Sequence, residues 1–145
     1  MQLPEYITKE EVRRVCKELN LRDWSELAKP EVSAEEAQKV LQVVKPAGMD
    51  IPLEDFRVGL EVELEHGTQF ADANVTNNHP VLTGKIVLAH LYESMDYYKR
   101  LEVAEIEGDI LKALKAKNLA KVEALHRKLA KAKLELSEEE ARQLA

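Results

Sequence analysis

A chain of 145 residues, 45% hydrophobic and 33% charged, is long enough to bury one core and too apolar for a disordered tail. Its net charge of -6 argues against non-specific nucleic-acid binding, and a lone cysteine, Cys16, excludes an internal disulfide. No apolar run approaches the roughly 18 residues of a membrane span, and the opening MQLPEYITKEEVRR lacks the apolar stretch of a signal peptide, so a cytoplasmic protein with no membrane contact is expected.

Helix formers dominate and strand-period alternation is missing, which predicts an all-α, single-domain helical bundle over 1–145. Thr8 with Glu11 and Ser33 with Glu36 fit capping boxes, opening helices at about 9–19 and 34–45. Between them, the segment around Trp24 reads as a turn with a short helical piece. Cys16, amid Val12, Val15 and Leu19, reads as a small core residue. Pro46, Gly48 and Asp50 break the chain, and Pro52 suits the first turn of a helix that ends at His66 with Gly67 beyond it.

Thr68 to His79 is rich in Asn, Thr and Asp and predicts a loop. Its Asn74-Val75-Thr76 matches a glycosylation acceptor, but without a secretory signal these residues are better read as fixing the loop through backbone bonds. Pro80 starts a helix to about Ser94, and Ser94 or Asp96 caps a continuation over 97–107. Gly108-Asp109 marks a further weak point. Helices at about 109–117 and 119–134 then form a C-terminal hairpin turning at Asn118, and Ser137 with Glu140 opens a short last helix. The core region is thus about 53–107, with an extension over about 109–145. Residues 109–145 carry nine Lys/Arg against six Asp/Glu, a surplus that reads as the solvated flank of a helix.

The candidate site lies in the middle third. Leu53, Phe56, Leu60 and Leu64 form one apolar stripe, with Glu61 and Glu65 side by side between it and Val58 and Val62. On the next helix Ile86, His90, Glu93 and Tyr97 share a face of a segment that is apolar almost all round. Glu61, Glu65, His90 and Glu93 are the ingredients of a carboxylate–histidine site for iron, manganese or zinc in a bundle core. A two-metal site wants a Glu-x-x-His unit on each of two helices, whereas here the order is reversed and one such pair exists. The competing and favoured reading is an internal ion-pair network, with Arg57, Lys85 and Arg100 neutralising Glu61, Glu65 and Glu93 while His90 donates to a carboxylate. His66 suits a helix C-terminus as a cation, and His79 and His126 read as loop and surface residues. No nucleophile elbow, P-loop, dinucleotide fingerprint or Cys cluster is present, so an enzyme is not favoured.

ELEHG at 63–67, NVT at 74–76 and LTGKIVLAHLYESMDYYKRLE at 82–102 resemble a family of small bacterial and phage proteins described as a domain of unknown function. The resemblance covers about 53–105, with Val87 where Ala is usual and Met95 where Pro is expected. It implies no activity. It does imply a shared site or scaffold at Glu65, His66, Asn74, Thr76, Lys85, His90, Glu93, Tyr97 and Tyr98. Three classes of function follow. One is an interaction or scaffold module, including a homo-oligomer packed through Val122, Leu125, Leu129, Ala132 and Leu136. The second is a metal-binding bundle. The third is a metal-free small-molecule binder lined by His90, Tyr97 and Tyr98, with His66, Asn74, Thr76 and Lys85 as further binding residues. The first is favoured, with no resident cofactor.

Overall fold

A computed structural model describes residues 4–145. The protein is all-α. Its helices are α1 (Lys9–Glu18), α2 (Ala34–Val44), α3 (Leu53–Gln69), α4 (Pro80–Glu93), α5 (Tyr97–Lys115) and α6 (Leu119–Leu144), with short 3-10 turns at Trp24–Glu26 and Ala71–Ala73. Among the described residues there is no strand, and no helix is long and apolar enough to cross a membrane. The chain divides into two compact units, Met1–Tyr92 and Glu93–Ala145.

In the first unit, Thr8 caps α1 by accepting from the Glu11 amide at 3.2 Å. The expected capping box is only half formed, because the Glu11 carboxylate is taken by Arg14 at 2.7 and 2.8 Å. Ser33 and Glu36 form both halves of theirs. The Glu36 carboxylate is buried and also accepts from Arg22 and from the Trp24 indole, tying the start of α2 to the turn before it. The core beneath comprises Val12, Trp24, Val40, Phe56, Leu60, Leu64, Val87 and Leu91. Phe56, Leu60 and Leu64 are three of the four residues of the apolar stripe on α3, and Leu53 is half-buried. Gly84 lets α4 close onto this layer, since a Cβ there would lie 2.8 Å from Val40 Cγ1 and 3.4 Å from Phe56 Cζ.

The second unit is a helical hairpin. Ile106 and Ile110 of α5 pack on Leu129 and Ala132 of α6, flanked by Val103, Val122 and Leu125. The spaced apolar seam of α6 is therefore filled by its own neighbour. Asp96, buried at the start of α5, accepts from Arg100 at 2.9 and 2.7 Å and from Gln143 near the end of α6, which fastens the open end of the hairpin. At the closed end Asn118 caps α6 by accepting from the Lys121 amide at 3.0 Å.

Three expected helix boundaries are not boundaries. α3 runs on through Gly67 to Gln69, α5 passes Gly108-Asp109, and α6 passes Ser137. Gly108 faces open space, so a helix held by the opposite face of the hairpin carries its weak propensity of about 1 kcal/mol. Ser137 sits inside a helix whose packing continues on both sides of it, and a capping signal has no effect where the preceding turn is already helical.

Burial raises the Glu36 carboxyl pKa, but the bonds from Arg22, Ser33 and Trp24 outweigh that effect and hold it at about 2 against an ordinary 4.5. A depressed carboxyl pKa gives stability that is complete above 4.5 and lost as the pH falls toward 2. Glu36→Gln should therefore lower the urea-unfolding free energy by about 2–4 kcal/mol at pH 7 and by much less at pH 3. Equal losses at both pH values would contradict this assignment.

Candidate functional site

The last turns of α3, the loop at 70–79 and the first turns of α4 enclose a pocket of about 250 Å³. Glu63, His66, Asn74, Thr76, Thr83 and Ile86 are among its lining residues. What creates it is a close approach. Gly67 lies within α3, and a Cβ on it would fall 2.0 Å from Asn78 Oδ1 and 2.7 Å from Asn74 Nδ2. The loop can lie against the helix only because that side chain is missing.

Side-chain amides then hold the loop down. Asn74 Nδ2 donates to the Gly67 carbonyl at 3.4 Å and to Asn78 Oδ1 at 3.1 Å. Asn78 Nδ2 donates onward to the Trp24 carbonyl at 3.3 Å, in the buried core. Asn77 and Asn78 adopt left-handed backbone angles, φ +48° and +61°, which asparagine tolerates better than most residues. Asn77 Nδ2 donates to the Ile7 carbonyl at 2.6 Å and so ties the loop to the segment before α1. His79 is buried rather than a surface residue. Its Nδ1 accepts from the Leu82 amide at 3.4 Å at the start of α4, and burial pushes its pKa down, favouring the neutral acceptor form.

The acid and imidazole groups meet around Glu63. Its side chain is 11% exposed, with His90 Nε2 at 3.4 Å and His66 Nδ1 at 3.9 Å. Glu63 was not singled out from the sequence, although helical arithmetic favours it. At 100° per residue Glu63 lies about 60° from Leu60, against about 100° for Glu61 and about 140° for Glu65.

The other expected site residues fall in both units. Glu61 turns toward α2, accepting from the Val32 amide at 3.0 Å and from Arg57 at 2.5 Å, so that ion pair forms as expected. Arg100 pairs with Asp96 and Glu140 rather than with Glu93. Glu65 is half-buried, and Glu93 and Lys85 are exposed; none of the three lines the pocket. Tyr97 and Tyr98 belong to the second unit, where their rings meet edge to face at 5.2 Å. Among the described residues, no three His, Cys, Asp or Glu side chains are grouped so as to hold a metal ion.

The family follows from the same residues. A family model described as "Protein of unknown function (DUF5661)" matches residues 12–107. The chain belongs to that family. The DUF5661 region reaches well upstream of the 53–105 resemblance, taking in most of α1 and all of α2, and includes every residue lining the pocket. It ends inside α5, so α6 lies outside it. No curated protein and no solved structure matches the chain.

Gly67→Ala should push Asn74 and Asn78 out of register, destabilise the protein by about 1–3 kcal/mol in urea melts, and broaden or shift the Asn78 amide signals in NMR spectra. An alanine variant with unchanged stability and spectra would show that the close approach is not a constraint.

Proposed function

We propose that the chain is a binding module whose pocket takes a small organic cation, an amine or guanidinium rich in hydrogen-bond donors. One observation carries the reading: a nearly buried carboxylate, Glu63, faces a pocket that neither Lys nor Arg lines. The donors of Asn74 are used on Gly67 and Asn78, leaving its Oδ1 side to accept, and Thr76 and Thr83 contribute hydroxyls. Acceptors outnumber donors, and the one negative charge has lost much of its water. A cation gains there and an anion loses on both counts. Val75 and Ile86 at the rim supply apolar surface for a short carbon stem. At about 250 Å³ the pocket suits a fragment-sized molecule.

The test is a calorimetric and NMR titration of the whole chain with methylguanidine and ethylamine, and with acetate and phosphate as anionic counterparts. The cations should bind with dissociation constants on the order of 1 mM or better and move the Asn74 and Thr76 signals. Glu63→Gln should weaken them about tenfold or more. Anions binding equally well, or a Glu63→Gln variant with undiminished affinity, would refute the reading.

A further inference from the structure

The tip of the hairpin carries a surface that the pocket does not explain. Using the inward-facing Val103, Ile106, Ile110 and Ala113 on α5 and Val122, Leu125, Leu129 and Ala132 on α6 as references, the outward residues can be placed at 100° per residue. Leu111 and Leu114 then lie about 120° and 60° to one side of the hairpin, and Leu119 about 100° to that same side. All three are exposed, at 60%, 48% and 73%. Around them the charge is segregated. Residues 108–128 hold six Lys/Arg and two Asp/Glu, while the rest of the chain holds 15 and 25. Lys115, Lys117 and Lys121 are exposed around the turn, beside Lys112, which is paired with Asp109.

The first unit carries a matching recess. A groove of about 330 Å³ is floored by Val15, Leu19, Val43 and Val81, with Val43 exposed. Glu11 and Glu18 line it too, with Arg14 bonded to both, so the rim is net acidic, and the whole of 1–92 holds 16 Asp/Glu against 10 Lys/Arg.

We propose that this chain self-associates, with the leucine tip of one copy seated in the valine-lined groove of a second copy. Charge decides between candidate occupants. Tip against tip would bring two basic surfaces together around the leucines, whereas tip against groove pairs opposite signs and covers apolar surface on both sides. Every copy carries one tip and one groove, so association needs no second kind of partner. This surface is separate from the pocket and does not depend on what the pocket holds.

Sedimentation equilibrium of the whole chain is the test. At low ionic strength the apparent mass should rise with concentration, and about 0.5 M salt should weaken the association about tenfold or more. Leu114→Glu with Leu119→Glu, and separately Val43→Glu, should each weaken it at least about tenfold while leaving the thermal melting curve of the dilute monomer unchanged, since all three positions are exposed. A tip variant, Lys115→Glu with Lys117→Glu and Lys121→Glu, should be monomeric alone and recover association with a Glu11→Lys/Glu18→Lys partner. Three results would overturn the proposal: a monomer at every concentration, association indifferent to either the tip or the groove variants, or a monomer that instead binds anionic lipid vesicles through Leu114 and Leu119.

Discussion

A helix and a loop meet here at a distance that only a missing side chain permits. Gly67 allows the amides of Asn74 and Asn78 to lie on α3 where any other residue would hold them off, and Asn78 carries the contact onward to the Trp24 carbonyl. The pocket, the position of Thr76 and the entry into α4 all depend on that approach. Bonds of this kind are modest one by one, about 1 kcal/mol net each, but leaving Asn78 buried without them would cost more than the bonds return. The loop is therefore held as a unit or not at all.

Buried polar groups follow one pattern through the molecule. Glu36 closes the start of α2, Asp96 fastens the open end of the hairpin, and Asn78 pins the loop. Each sits beside a helix end, where backbone groups lack intrahelical partners and a polar side chain has most to satisfy. Glu63 departs from the pattern. It lies mid-helix, with the imidazoles of His90 and His66 at 3.4 and 3.9 Å. Glu61, two residues earlier, turns the other way and is paired with Arg57 at 2.5 Å.

The fold was legible in the sequence where local chemistry and packing agree. The Thr8 and Ser33 caps, the α3 stripe and the turn at Asn118 are of this kind. Gly67, Gly108 and Ser137 misled because the sequence signal for a helix end is local, whereas tertiary packing extended the helix past each of them. The site was legible in part. His66, Asn74 and Thr76 do line one pocket, drawn from two separate motifs. Glu61 and Glu65 stand out in the sequence as a pair four residues apart, yet spacing along a helix says nothing of which way its face points. The angle from Leu60 does, and it singles out Glu63. The fastening of Asn78 to Trp24 joins residues 54 apart in the chain, and no local pattern announces such a contact.

The most direct test of the central claim is hydrogen exchange of the Asn78 side-chain amide, followed by NMR in the intact protein. A loop clamped onto α3 through Gly67 should protect those protons far more strongly than an exposed amide such as that of Gln42, with opening governed by the unfolding of the first unit. Exchange as fast as at Gln42 would mean that the loop leaves α3 readily, and the pocket would then not be a preformed site.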